Sequence, residues 1–154
     1  MNKPNTPSVL FVCVRNSGKS QMAAGLMREL VGKKVAVHSA GTEPGTNLND
    51  PSVQALLDVG VDISGEEPKP IDPQLLSAVD LVVTLGREAH IEPINGVAVE
   101  NWDTDEPSER GIDGIERMEL IRNDIAARVA ELAKRLLDTP GPEGRHPTDI
   151  GSPP

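Results

Sequence analysis

Residues Val9 to Leu30 read VLFVCVRNSGKSQMAAGLMREL. The first five, Val9 to Cys13, form a continuous apolar run whose length and β-branched content suit a buried central strand. Val14 to Ser20 is polar and contains Gly18. From Gln21 the period changes: Met22, Ala23, Leu26, Met27 and Leu30 fall at helical spacing, and Gly32 can stop that helix. A second strand follows at Val35 to His38. Strand, polar turn, helix and strand in so short a span set the pattern for the rest of the chain.

That pattern continues. Asp50-Pro51 is a helix-start signature, with Asp as the cap and Pro in the first turn. Val53, Leu56 and Leu57 make that helix's apolar face, and Gly60 can end it. Glu66 to Pro73 holds three prolines and reads as a loop. Leu75 to Val79 suits a short helix, Leu81 to Leu85 (LVVTL) a third buried strand, and Val97 to Glu100 a fourth. Asn101 to Asp113 is an acidic loop. A long helix follows from about Gly114 to Leu137, with Ile115, Met118, Ile121, Ile125, Val129, Leu132 and Leu136 on one face. Strands alternating with helices predict an α/β fold: one domain over residues 8–137, with an open, mostly parallel four-stranded sheet flanked by helices. Residues 1–7 and the Pro/Gly-rich 138–154 are expected to be flexible termini.

The chain has 154 residues, enough for one compact core, and a net charge of -9, which disfavours nonspecific binding to nucleic acid or anionic lipid. Aromatics are only 1%, so the core is aliphatic. No apolar run approaches the roughly 20 residues of a membrane helix, and the polar, Pro-containing N-terminus does not look like a secretory signal. No nucleic acid or membrane partner is expected. Cys13 is the only cysteine. It cannot close an internal disulfide, which suits a reducing cytoplasm, and any second thiol must come from outside the chain.

In an open α/β sheet, ligands bind at the carboxyl ends of strands near a topological switch point. The loop Cys13-Val14-Arg15-Asn16-Ser17-Gly18-Lys19-Ser20 lies at such an end. Unpaired N–H groups at a helix start, together with the helix dipole, make an anion site. Lys19 adds a positive charge there, and Arg15 offers another. The same field favours the thiolate form of Cys13, the nucleophilic form. A thiolate beside an oxyanion site can attack phosphate-like anions.

Gly18, Lys19 and Ser20 match the second half of the nucleotide-binding pattern G-x-x-x-x-G-K-[ST], but its first Gly falls on Cys13. A second match covers residues 8 to 137. The chain resembles the low-molecular-weight protein tyrosine phosphatase superfamily, and within it the arsenate reductases. That family's loop is C-x5-R-S with Asn at the fourth position; Cys13, Asn16 and Ser20 fit. Ser39-Ala40-Gly41-Thr42, Gly60 to Ser64 (GVDIS), the DLVVTL run and Asp105-Glu106-Pro107 follow in the family's order.

The departures point to a branch. Lys19 stands where most members carry Arg, which would fork onto an oxyanion where Lys gives only a point charge. The pattern CVxNxGKSQMA is similar to that of actinobacterial arsenate reductases that use the thiol mycothiol. Members acting on phosphotyrosine have Tyr after the acid-Pro element; this chain has Ser108 and Glu109 there and no Tyr at all. Thioredoxin-coupled members place two further cysteines in and after the strand matching LVVTL, and here there are none.

The resemblance therefore implies an arsenate-mycothiol transferase of arsenical detoxification. Arsenate would be the substrate and mycothiol the co-substrate, with no bound cofactor and no metal. A glutaredoxin-like mycoredoxin would release arsenite. Cys13 and Lys19 would be catalytic, residues Val14 to Ser20 would bind the oxyanion, and Ser39 would support the loop. The proton donor to the leaving oxygen would be Asp105, by residue type, or Glu106, by its place directly before Pro107.

Each residue also has a plainer reading. A lone Cys at a strand end is a small core hydrophobe; Arg15 is equally a solvated loop residue; Asn16 can simply fix the turn; Ser20 can be a helix cap, can donate its hydroxyl to the Cys13 thiolate, or both. A cation such as Lys19 at a helix start is unfavourable unless an anion is present. Trp102 reads as a packing residue, and His38, His90 and His146 lack metal-ligand spacing. A small-ester phosphatase and a non-catalytic oxyanion-binding module are the competing functions.

Overall fold

The computed structural model describes residues 6–92 and 96–138. The expected flexible ends therefore lie, apart from residues 6, 7 and 138, outside the described residues, as does His146. Four strands, β1 (Ser8–Cys13), β2 (Ala36–Gly41), β3 (Leu81–Leu85) and β4 (Ala98–Trp102), pair in parallel in the order β2-β1-β3-β4. The helices are α1 (Lys19–Val31), α2 (Asp50–Leu57), α3 (Pro73–Ala78) and α4 (Gly114–Asp138). This is the single parallel sheet flanked by helices that the sequence predicts. Among the described residues no helix is long and apolar enough to cross a membrane.

The alternation of β1 explains the layers. Val9 and Phe11 face a core shared with α1, α2 and α4, while Leu10 and Val12 face a smaller core with Leu75 and Leu76 of α3. Both faces of β1 are covered, which is why VLFVC is apolar throughout. Phe11 meets Trp102, at the end of β4, with ring centroids 5.7 Å apart and planes tilted by 54°. Trp102 is thus the packing residue expected, and such a pair adds about 0.5–1.5 kcal/mol beyond its buried area.

Several local expectations are corrected. Helix α1 begins at Lys19, with Gly18 as its cap, so Ser20 lies inside the helix and does not cap it. Helix α2 is capped by Asn49, whose side chain accepts from the Ser52 N–H; Asp50 and Pro51 form the first turn. β2 extends to Gly41, and β4 runs to Trp102 because its ladder with β3 continues to Leu85. The acidic loop contains a 3-10 turn at Pro107–Arg110. Helix α4 includes Asp138. Leu30, Leu57 and Ile115 have the right spacing but are exposed, Ile115 at 76%, because no neighbouring element covers those helix ends.

β1 sits between β2, reached first through α1, and β3, reached from the other direction. The chain therefore diverges above the β1–β3 boundary, and a cavity opens there.

Candidate active site

That cavity holds about 420 Å3 and is lined by the loop after β1, the turn after β3 at Gly86 and Arg87, and Glu106 and Arg117. Cys13 lies at its floor, 8% exposed. Its Sγ is 2.9 Å from Ser20 Oγ and receives the Asn16 N–H at 3.2 Å. Asn16 Nδ2 donates to Ser20 Oγ at 2.7 Å, so the Ser20 hydroxyl proton is free to point at the sulfur. The Asn16 N–H and the Ser20 hydroxyl thus converge on Cys13 Sγ.

The loop is held from outside. The carbonyls of Cys13, Val14, Arg15 and Ser17 accept from the N–H groups of Thr42, Glu43, Gly45 and Asn49 at 2.7–3.1 Å. Turning the carbonyls outward turns the amides inward. Among the described residues, the N–H groups of Val14, Arg15, Ser17 and Gly18 donate to no backbone carbonyl. These N–H groups are therefore available as donors to a ligand in the cavity.

Asn16 makes this turn possible. It is fully buried and has a φ of 56°, a left-handed conformation that Asn tolerates better than most residues. Its Oδ1 accepts from Gln21 Nε2 at 3.1 Å and from the Lys69 N–H at 3.0 Å. Gln21 Nε2 also reaches the carbonyls of Asn16 and Glu67. Gly41 is required for a different reason: a Cβ there would stand 2.8 Å from the Val14 carbonyl oxygen and 3.0 Å from Asn16 Cβ.

Lys19 Nζ reaches the cavity and lies 3.5 Å from Glu106 Oε1, while Arg117 Nε holds Glu106 Oε2 at 2.9 Å. The cation at the helix start does have an anion beside it. Burial raises the Glu106 pKa, but hydrogen bonds from Arg117 and Ser108, with the charges of Arg117 and Lys19, outweigh this and hold the carboxyl below its usual range. Asp105 does not line the cavity. Its carboxylate is gripped by Arg110 at 2.7 and 3.2 Å, which holds its pKa below the usual range. The structure therefore brings Glu106, and not Asp105, to Cys13 and Lys19.

Arg15 is exposed and lines the cavity. Ser39 is placed differently from the supporting role expected: its buried hydroxyl has no hydrogen-bond partner among the described residues, and Gly41, two residues on, meets the loop instead. The acidic cluster is not simply solvated. Asp103 and Glu109 both pair with Arg87.

Gln21, Gly41, Lys69 and Arg117 were not singled out from the sequence. Gln21 carried a signal, a polar residue among the apolar positions of α1. Gly41 sits in the Ser-Ala-Gly-Thr segment. Nothing local marks Lys69 or Arg117.

Residues 8–139 match the model of the family described as low molecular weight phosphotyrosine protein phosphatase. The chain is 34% identical over 134 residues to "Arsenate reductase 1" of Staphylococcus haemolyticus, covering 84% of this chain and 97% of that protein. It is 36% identical over 132 residues to "Arsenate reductase" of Bacillus subtilis, covering 82% and 94%. Among solved structures it is similar to the Corynebacterium glutamicum thioredoxin-dependent arsenate reductase Cg_ArsC1', with a TM-score of 0.75 and 31% identity, covering 90% of this chain and 66% of that one. The chain thus spans just under two thirds of that structure but nearly all of the two sequence relatives.

Proposed function

The chain belongs to the low molecular weight phosphotyrosine protein phosphatase family, and from that premise we propose that it is an arsenate reductase of the thiol-transferase type. The observation that carries this reading is Cys13 Sγ at the floor of a loop whose carbonyls are held outward, with Lys19 lining the same cavity and no second cysteine in the chain. The arsenate reductases to which the chain is similar support the substrate. The absence of Tyr argues against a phosphotyrosine ring, which would have little to stack on.

The reaction follows from the geometry. The loop amides and Lys19 hold the arsenate oxygens. The Cys13 thiolate attacks arsenic, an As–S bond forms, and the opposite As–O bond breaks as Glu106 gives its proton to the leaving oxygen, which departs as water. An external thiolate then attacks arsenic and displaces Cys13, leaving an arseno-thiol adduct in which arsenic is still As(V). Reduction comes last. A second thiolate, from a glutaredoxin-like partner, attacks the adduct's sulfur; the S–S bond forms and the As–S electron pair passes to arsenic, releasing arsenite.

The external thiol is mycothiol, on the resemblance of the Cys13 to Ala23 stretch to mycothiol-using enzymes. A lone free thiol also suits a cytoplasmic setting. One observation favours a second reading of the reductant: the similar Corynebacterium glutamicum structure is named thioredoxin-dependent. Thioredoxin would then attack the Cys13 arseno-adduct directly.

The test is arsenite release from arsenate by the purified protein, with mycothiol plus a mycothiol-specific glutaredoxin-like protein, with glutathione, and with thioredoxin. Turnover that needs Cys13 and mycothiol supports the transferase. Turnover with thioredoxin alone replaces the thiol but keeps the reductase. Cleavage of a phosphate ester without arsenite moves the protein to the phosphatases. Full turnover by Cys13→Ser removes the nucleophile.

A further inference from the structure

A second cavity, of about 630 Å3, lies between α2 and the start of α4. It meets the oxyanion cavity at Asn49, Arg117 and Met118, which line both. Its apolar lining includes Pro51, Ala55 and Ile115. Ile115 is the most exposed large hydrophobic residue among those described, at 76%, and it is the position where the periodicity of α4 predicts burial. Around this lining stand the carboxylates of Asp50, Asp58 and Glu119. Among the described residues none of these three makes a side-chain hydrogen bond or an ion pair. In the oxyanion cavity, by contrast, three of the four lining carboxylates, Asp103, Glu106 and Glu109, are each matched to a cation, and only Glu88 is not.

We infer that this groove between α2 and α4 is the binding site for the external thiol, and that it takes a small thiol rich in hydroxyl and amide donors and free of carboxylates. The inference rests on the external-thiol reading above. A single-cysteine enzyme must seat a second sulfur beside Cys13, and this groove abuts the oxyanion cavity. Its charge selects the class of occupant. Unpaired carboxylates accept hydrogen bonds from hydroxyl and amide groups, and they repel a carboxylate-bearing thiol such as glutathione. The apolar lining gives the carbon skeleton a surface to cover, as small-molecule sites commonly do. The thiol's body lies in the groove, and its sulfur passes Arg117 toward arsenic above Cys13.

The test is the double charge reversal Asp58→Lys/Glu119→Lys in the full chain, with Trp102 fluorescence to verify the fold. Both residues lie outside the oxyanion cavity. The KM for mycothiol should rise tenfold or more, the KM for glutathione should fall, and the KM for arsenate should stay within twofold. Thiol KM values that do not move overturn the inference. A change confined to the KM for thioredoxin overturns it too, by making the groove a protein-docking surface. A binding readout separates this failure from failure of the reductase reading. S-methylated mycothiol cannot react, and its addition should shift the amide NMR signals of Gln54, Ala55 and Glu119 even if no thiol supports turnover. Shifts confined to residues 13–20, or none at all, overturn the site.

Discussion

Lys19 and Glu106 face each other across the mouth of the Cys13 loop, with Nζ 3.5 Å from Oε1. The ammonium that the proposed reaction assigns to the oxyanion is thus paired with this carboxylate. In the proposed reaction an incoming arsenate competes with Glu106 for Lys19, which leaves the carboxylate with Arg117 and Ser108. Losing one cation raises the proton affinity of Glu106, so in the proposed reaction oxyanion binding would prepare the proton donor. Lys19→Ala should raise the KM for arsenate by about 10- to 100-fold, the range expected for one charge-assisted hydrogen bond. Lys19→Arg should restore most of the binding. Steady-state arsenite release over an arsenate series reads both.

The two neighbouring acids should separate cleanly. Glu106→Gln should lower kcat by about 100-fold or more, the usual weight of a positioned general acid. Asp105→Asn should leave kcat nearly unchanged, because Asp105 is committed to Arg110 outside the cavity. Equal losses in both variants would remove the assignment.

A pH profile tests Arg117 as the residue that positions Glu106. The proton donor must be protonated, so kcat/KM falls as pH rises through the Glu106 pKa of the free enzyme. Arg117 and Lys19 hold that pKa low. Arg117→Met should move this limb of the profile to higher pH, and Arg117→Lys should return it part of the way. A limb that stays in place in Arg117→Met would mean that another group titrates.

How much of this could be read from the chain depends on how local each feature is. β1, the loop and α1 were legible because an apolar run, a polar turn and a 3.6 period are written in adjacent residues. The roles of Asn16 and Ser20 were half legible. The turn was foreseen, but the contact of Asn16 with Lys69, 53 residues away, exists only once β2 and the 66–70 segment pack beside the loop. Glu106 could not be chosen over Asp105 from spacing. The choice is made by the 3-10 turn at Pro107 and by Arg110 capturing Asp105, which are side-chain directions in an irregular loop. Ile115 shows the reverse error: its period was correct, but α4 extends past the elements that would cover it.

Glu100 links acid stability to a single optical probe. Its carboxylate accepts from Trp102 Nε1 at 2.8 Å and pairs with Arg135 at 2.8 Å. Burial raises its pKa, but these partners outweigh that and leave it below the usual carboxylate range. A group with a lowered folded pKa contributes fully above its unfolded pKa, and the contribution is lost as pH falls through the folded value. Glu100→Gln should therefore cost about 1 kcal/mol near neutral pH and flatten the loss of stability below pH ~4. Urea unfolding followed by Trp102 fluorescence at several pH values measures this.

Asn16 combines a side-chain and a backbone contribution that two variants can separate. Asn16→Ala and Asn16→Gly both lose the hydrogen bonds to Ser20, Gln21 and Lys69. Both must hold a φ of 56°, which strains Ala and not Gly. The Ala variant should be less stable than the Gly variant by about 1 kcal/mol, the left-handed cost for a residue with a Cβ. Identical urea midpoints would mean that the loop relaxes out of this conformation when the side chain is lost.

Gly41 should prove more important for activity than for folding. It ends β2, an edge strand of the sheet, and its φ is not in the left-handed region, so Ala is acceptable to the backbone itself. The obstacle is the loop. A Cβ at 41 would meet the Val14 oxygen at 2.8 Å, the Arg15 carbonyl carbon at 3.0 Å and Asn16 Cβ at 3.0 Å. The first two are main-chain atoms and cannot swing aside as a flexible side chain would. The strand is fixed by pairing along β1 from Ser8 to Cys13, so the loop must give way. Displacing Val14 to Asn16 by a few tenths of an ångström moves the inward amides and the Asn16 N–H on Cys13 Sγ together. Amide donors placed for a developing oxyanion lose their effect over such distances. Gly41→Ala should therefore lower kcat/KM for arsenate by about 100-fold while costing no more than about 1–3 kcal/mol of stability. Urea unfolding beside arsenite release distinguishes the two, and a variant as active as the parent would show that the loop tolerates the shift.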